Sequence, residues 1–375
     1  MLSFVPGLRI ENELKTLQGT LAEICKSLEA MSTEEAANLH RFAFISNIGA
    51  STRIENAVLT DREIEWVDST LGQDSRPTAF ELQREFIVDK LSKDRERSIE
   101  EVVGCRQMLH TVYLQAEELL PLTETTIRAL HHDLMRFYPP AGYHAGNYKK
   151  APNRVVSVNH KTGEERVVLE PAPPGIMTET AMSDLITWYN RVIREFPWPL
   201  LVASEFVFRF LAIHPFQDGN GRLGRALFIL TLLQSGDKYW QRIVPFLSVD
   251  RHIEQNRYLY YTTLHRAARG RFNPDPGQYD LKPVAQFFIR IVYASLDDID
   301  IYRKRFAAQL KLSESALAVL DTFKDSPEKR LKAGDIVEKT GLPRRTVQYA
   351  LKTLVDSGSI QRLGQGAGTR YQLVF

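Results

Sequence analysis

Only two cysteines, Cys25 and Cys105, occur in 375 residues, far apart and outside any CxxC pair. A disulfide framework or a cysteine-rich zinc site needs more ligands than this, so both read as buried, reduced thiols. A large excess of charge of one sign is missing too. The 48 basic and 46 acidic residues leave a net charge of +2, so any surface for nucleic acid must be local. No run is long and apolar enough to cross a bilayer. The most apolar stretch, residues 200–213, is short and carries Glu205 and Arg209. Residues 1–6 hold no basic segment, and Glu11 and Glu13 follow at once, unlike a signal peptide. These absences lead us to expect a cytoplasmic protein with no membrane partner. No repeat or low-complexity tract is visible.

What is present is ordinary globular composition, 43% hydrophobic and 25% charged, in a chain long enough for two or three cores. Up to about His110 the pattern is helical and amphipathic. Thr60 and Glu63, three apart, give a capping box at the start of one helix. Further helices are expected over residues 84–91, 98–118 and 123–137, the last stopped by Pro139 and Pro140. Residues 142–175 change character. Two β-branched runs, RVVSV and RVVLE, flank Asn159-His160-Lys161-Thr162-Gly163, which reads as a β-hairpin or as a long surface loop. Three helices follow between Glu179 and Leu233. The middle one is apolar all round, hence central to a bundle. The next presents Leu223, Ala226, Leu227 and Leu230 on one face.

The last 65 or so residues read as three helices (313–323, 333–340, 344–356) and two strands around 360–363 and 370–374. Helix-turn-helix plus hairpin is a winged helix.

The segment His214-Pro-Phe-Gln-Asp-Gly-Asn-Gly-Arg-Leu-Gly-Arg225 joins the apolar helix to the one-faced helix. Gly219-Asn220-Gly221 can bend sharply and turn backbone N–H groups outward at a helix start, which makes an anion site. Arg222 and Arg225, three apart, share a face. Two guanidinium forks beside N–H donors suit a polyphosphate better than a lone carboxylate. Asp218 beside an anion implies a divalent cation between the two, and one carboxylate plus phosphate oxygens is how Mg²⁺ is usually held. His214 is a group that can take a proton near neutral pH. Taken singly, a glycine pair is commonly a plain turn, and a histidine at a helix end is commonly structural.

The stretch resembles the signature of the Fic (filamentation-induced-by-cyclic-AMP) family, HxFx[D/E]GNGRxxR, at His214, Phe216, Asp218, Gly219, Asn220, Gly221, Arg222 and Arg225. The resemblance implies a mainly α fold: a Fic-type helical bundle with a β-hairpin flap, followed by the winged helix-turn-helix domain. It places the N-terminal helical region at 1–110, the catalytic core with its closing helices at 111–297, and the linker helix and winged helix at 298–375. It also implies a protein adenylyltransferase, moving AMP from ATP to a Ser, Thr or Tyr hydroxyl of a target protein laid along the 153–170 hairpin. His214 would be the base and Asp218 the Mg²⁺ ligand. Gly219, Asn220 and Gly221 would form the anion hole, with Arg222 and Arg225 on the β- and γ-phosphates, and Leu223 and Gly224 lie within the same ATP-binding stretch. By likeness of IEQNRYLYYTTL to the family's nucleoside-closing segment, Asn256, Tyr260 and Tyr261 would approach adenine or ribose. The tyrosines read equally as core aromatics.

Ser51-Thr-Arg-Ile-Glu55-Asn56 is similar to the family's inhibitory pattern [S/T]xxxE[G/N], placed upstream of the core as in its second class. The implied mechanism is electrostatic, with Glu55 occupying the Arg225 guanidinium that should clamp the γ-phosphate. Without the family, Glu55 is an ordinary surface carboxylate.

In the winged helix, Lys329, Arg330, Lys332, Lys339, Arg344, Arg345 and Lys352 stand against Asp335 and Glu338. The patch fits DNA, a protein partner or simple solvation. Rival functions follow: AMP removal or another phosphoryl transfer at the same site, or a DNA-binding regulator that senses nucleotide. Relatives of this architecture pair through the core, so a homodimer is also an expectation.

Overall fold

The computed structural model describes residues 1–72, 77–158, 165–310, 312–324 and 329–373. In chain order the elements are α1 (Leu8–Glu29), α2 (Thr33–Ile54), α3 (Asp61–Leu71), α4 (Pro77–Leu91), α5 (Glu96–Gln115) and α6 (Glu124–Met135). After them come β1 (Val155–Val158), β2 (Glu165–Leu169), α7 (Ile176–Val192), α8 (Pro199–Ile213), α9 (Asn220–Gln234), α10 (Lys238–Ile243), α11 (Val249–Gln255), α12 (Arg257–Ala268) and α13 (Lys282–Leu310). The chain closes with α14 (Glu314–Lys324), α15 (Ala333–Thr340), α16 (Arg344–Asp356), β3 (Ile360–Leu363) and β4 (Arg370–Leu373). Among the described residues no helix is long and apolar enough to cross a membrane.

Two compact units emerge, one of Met1–Ala57 with Glu100–Ile299, the other of Val58–Ile99 with Asp300–Phe375. The unit boundaries fall after residues 57, 99 and 299. The first segment, which carries Ser51 and Glu55, belongs to the same unit as residues 100–299. The segment holding α3 and α4 belongs with the C-terminal residues. Short-range sequence patterns carry no record of which distant segment covers a helix face.

In the first unit α8 is the core. All 15 of its residues are buried, as its all-round apolarity requires, and Pro199 opens it where a missing N–H costs nothing. Neighbouring α9 buries 14 of 15 residues. Gly224 permits the close approach of these two helices, since a Cβ there would press on Leu211. The hairpin expected from the two β-branched runs is present. β1 and β2 pair antiparallel with Val156 opposite Val167, and the register shifts between Val155 and Val156. Its expected turn, Asn159 to Gly163, lies outside the described residues. The base of the hairpin is anchored where Glu170 accepts from Phe272 (2.8 Å) and donates to Gly270 (2.9 Å).

In the second unit the Thr60–Glu63 capping box starts α3. Ala316, Val319, Phe323, Ile336, Val347, Leu351 and Leu354, all fully buried, make the core of the winged helix. Gly341 turns α15 into α16 with φ +66°, a left-handed conformation that glycine takes without strain. β3 and β4 form the wing, with Ile360 opposite Leu373. Arg344, Arg345, Gln348, Tyr349 and Lys352 remain exposed on α16.

Candidate active site

The connection from α8 to α9 is built from hydrogen bonds rather than from an apolar core. His214 ends α8 in the left-handed region (φ 51°, ψ 59°), and its N–H donates to Phe210 O at 2.8 Å. Gly219, also left-handed, precedes α9. Between them Asn220 acts as a brace. Its Oδ1 accepts from Phe216 N (2.9 Å), and its Nδ2 donates to Phe216 O (2.8 Å). From α6, His131 Nδ1 accepts from Gly146 N, so Nε2 carries the proton and donates to Asp218 O; each bond is 2.9 Å. The ring stacks on Phe216 at 3.8 Å. Burial pushes the His131 imidazole down to about 4, so it stays neutral and both bonds persist.

At the start of α9 the N–H groups of Asn220, Gly221 and Arg222 have no helical acceptor. Asp218 and Arg222 meet there, Oδ1 to Nη2 at 3.4 Å. Arg222 is 2% exposed, yet its Nε and Nη1 make no hydrogen bond, with Glu101 at 4.0 Å. Arg225 is the opposite case. Its Nε donates to Ser51 Oγ (3.0 Å), and its Nη2 to Ser51 O (2.9 Å) and Glu55 Oε1 (3.0 Å). Asp250 Oδ2 stands 3.8 Å from Nε. Burial opposes the charge on Arg225, but Glu55 and Asp250 outweigh it and hold its pKa above the ordinary value. Burial raises Asp250 to about 6, against the pull of Arg225 and Ser51, with Glu254 and Glu55 adding to the rise.

Glu55 reaches Arg225 because α2 ends in a Schellman motif. Ala57 N donates to Thr52 O and Asn56 N to Arg53 O, both at 3.0 Å, and Asn56 takes φ +74°. That position needs a residue that tolerates the left-handed region, which explains Gly or Asn after the glutamate. The Glu55 carboxylate lies directly against Gly221, where a Cβ would collide with Oε1. Arg53 pairs with Glu254 of α11 through two bonds, 2.8 and 3.0 Å, and fixes the end of α2.

His214 and Arg225 open onto one cavity, lined also by Tyr260, Tyr261, Phe208, Leu211, Val155 and Val168. Burial pushes the His214 imidazole down to about 4, and the Lys149 ammonium adds to this. The Leu211 carbonyl, Glu55 and Asp218 act in the other direction. The residue keeps some exposure although its Nδ1 is buried without a hydrogen bond. Near neutral pH the ring is therefore an unprotonated base facing a mostly apolar chamber. Among the described residues no group of three or more His, Cys, Asp or Glu could hold a metal. The Asp218 side chain, 52% exposed at the helix start, fits a cation whose remaining ligands come from a bound polyphosphate.

Residues 121–232 match the Fic/DOC family model. The chain carries a Fic domain. A second match, to the IclR helix-turn-helix domain, covers residues 314–364. Protein adenylyltransferase fic-1 of Caenorhabditis briggsae is 30% identical over 104 residues, which cover 28% of this chain and 18% of that protein. Fic-1 of Caenorhabditis elegans is 26% identical over 158 residues, covering 42% and 26%. The chain thus spans about a quarter or less of the length of these relatives. A Fic family protein from Desulfovibrio desulfuricans G20 shares the fold, with TM-score 0.54, 22% identity, and 100% and 98% of the two chains covered.

The structure separates the expected site residues, some of which lie outside the matched segment. His214, Arg225, Tyr260 and Tyr261 surround the cavity, and Ser51 and Glu55 bind Arg225. Asn56 accepts from Arg257 (3.3 Å) instead of touching Arg225. The Asn220 side chain faces the loop rather than outward. Leu223 is fully buried, and its N–H closes the first turn of α9 on Gly219 O (3.0 Å). Gly224 faces α8, so neither residue offers a free group to a phosphate. Asn256 joins α11 to α12; its Nδ2 donates back to His252 O of α11 (2.9 Å), and it does not line the cavity. Sequence reasoning passed over His131, Lys149 and Asp250, because a single buried polar residue has no spacing signature.

His131→Phe keeps the stack on Phe216 but strands the Asp218 carbonyl and the Gly146 N–H, and should cost about 2–4 kcal/mol at pH 7. The unfolded imidazole takes a proton below about 6.5, and the folded one only near 4. Wild-type stability is therefore lost as pH falls through that window, by about 3 kcal/mol from this residue. Denaturant unfolding against pH should show the gap between variant and wild type closing toward pH 4; parallel curves would contradict a neutral His131.

Proposed function

We propose that the chain is a protein adenylyltransferase that transfers AMP from ATP to a Ser, Thr or Tyr hydroxyl of a target protein, restrained by Glu55. The observation that carries this is one cavity bounded by a neutral imidazole, His214, and a phosphate-seeking guanidinium, Arg225, that an internal carboxylate already occupies. In the forward reaction the hydroxyl oxygen attacks the α-phosphorus. The bond to the β-phosphate oxygen breaks, pyrophosphate leaves, and His214 takes the hydroxyl proton. The α9 N–H groups and Arg222 would receive the phosphates. Asp218 would hold Mg²⁺, which supplies neutralising charge at the phosphates when bound. The apolar walls and Tyr260 and Tyr261 suit the flat face of adenine. A target segment would lie along the hairpin, pairing with a strand edge.

Glu55 also supports the reverse direction. Its side chain keeps 31% exposure beside the cavity, so it can orient a water toward an AMP-modified hydroxyl. The test is radiolabelled ATP with Mg²⁺ and lysate. Glu55→Gly should label targets or itself several-fold more than wild type, and His214→Ala should fall by about 10²-fold or more. If Glu55→Gly is no more active, restraint by Glu55 is wrong. Release of AMP from a pre-modified target by wild type alone would then assign Glu55 to removal.

The winged helix, with Arg344, Arg345 and Lys352 exposed on α16 and Arg362 and Arg370 on the wing, supports binding to duplex DNA. Affinity should fall steeply with salt, and Arg344→Ala with Arg345→Ala should lower the salt slope by about 2. An unchanged slope would remove α16 from any such contact.

A further inference from the structure

Four consecutive backbone carbonyls around the base, those of Ile213, His214, Pro215 and Phe216, all receive hydrogen bonds from two residues before the hairpin. Lys149 Nζ donates to Ile213 O at 3.1 Å, and Lys149 N to Pro215 O at 2.8 Å. Asn153 Nδ2 donates to Phe216 O at 2.8 Å and to His214 O at 3.5 Å. The two residues are themselves joined, Lys149 Nζ to Asn153 Oδ1 at 2.9 Å. Lys149 is 3% exposed, and among the described residues its ammonium has no carboxylate within ion-pair distance. An unpaired buried cation is costly, so its place calls for a physical reason.

We propose that Lys149 is a positioning residue for His214: its ammonium caps the C-terminal end of α8 and, through Asn153, ties the base of the hairpin to the His214 loop. This rests on the reading of His214 as the base. Two physical arguments carry it. His214 sits in a left-handed conformation (φ 51°) that is strained for a non-glycine residue, so its surroundings must impose it. The last carbonyls of a helix lack N–H donors within the helix and carry the negative end of its dipole, which a cation meets better than a neutral donor. Because the same clamp grips the hairpin, seating a target strand and holding the imidazole are one mechanical unit.

The charge has a second effect. His214 faces Lys149 from the hairpin base, Glu55 from α2 and Asp218 from the loop before α9, shares its cavity with Arg225 of α9, and is pushed down by the Lys149 charge. It helps keep the imidazole unprotonated. Burial lowers Lys149 itself to about 8, so the ammonium discharges as pH rises above that value.

The experiment measures kcat, KM for ATP and pH profiles of AMP transfer in the full chain, with Glu55→Gly as the background. Lys149→Met should lose roughly 10–100-fold in kcat, with ATP affinity within about twofold, since Lys149 does not line the cavity. Its acidic limb should move to higher pH, because the charge that depresses His214 is gone. The background enzyme should lose activity above about pH 8, and Lys149→Arg should restore kcat and remove that fall. Asn153→Ala should lower kcat without moving the acidic limb. Background kcat and pH profile in Lys149→Met would overturn the proposal, as would an arginine variant with the background's alkaline fall. If Lys149→Met does not fold, as judged by circular dichroism, the arginine and Asn153 variants carry the same decision. If even the background enzyme transfers no AMP, the adenylyltransferase reading fails. The His214 imidazole titration by NMR then decides: higher in Lys149→Met than in Lys149→Arg supports the clamp, and equal values overturn it.

Discussion

Arg225 is 1% exposed, and a guanidinium removed from water must be met by acceptors and counter-charge to be tolerated. Here the last turn of α2 meets it, with a hydroxyl and a carbonyl from Ser51 and a carboxylate from Glu55, while Asp250 stands behind. The arrangement explains why α2 is part of the first compact unit, with 13 residues buried and its end fixed by Arg53 and Glu254. A polyphosphate entering the cavity would offer Arg225 oxygens in competition with one already in place. Arg222 contrasts with Arg225: it is buried beside Asp218 and Glu101, but among the described residues its Nε and Nη1 have no hydrogen-bond partner. One arginine is occupied and the other is poised.

The loop that carries His214 and Asp218 is held by groups that stay neutral or have no ionic partner. Asn220 closes on Phe216, His131 reaches Asp218 O and Gly146 N, and Lys149 with Asn153 gathers the carbonyls on the other side. The left-handed turns at His214 and Gly219 are thus determined from three directions. Such over-determination lets a catalytic loop keep a geometry that isolated backbone would not prefer.

Much of this is legible from residue patterns. The all-apolar run became the fully buried α8, the Thr60–Glu63 spacing became a real capping box, and the β-branched runs became a hairpin. Each rests on local periodicity or a short-range cap. The motif residues His214, Asp218, Arg222 and Arg225 also gather around the start of α9 as their spacing requires. Less visible are parts defined by distant partners. Nothing local to α3 announces that it packs with residues after 300, and nothing in the sequence around His131, Lys149 or Asp250 marks them as supports of the site. Leu223, Gly224 and Asn256 show the converse. They lie inside recognisable stretches, yet helix geometry buries Leu223, turns Gly224 toward α8 and spends the Asn256 amide on the His252 carbonyl.

The central claim is that Glu55 and the γ-phosphate compete for one guanidinium. Calorimetric titration of ATP and ADP into wild type and Glu55→Gly tests it most directly, because binding is read without a target protein. Removing the carboxylate frees a charge-assisted contact and removes a like-charge repulsion. ATP should therefore bind about tenfold or more tightly in the variant, while ADP, which lacks the γ-phosphate, should gain much less. Equal gains for the two nucleotides, or no gain for ATP, would contradict the account.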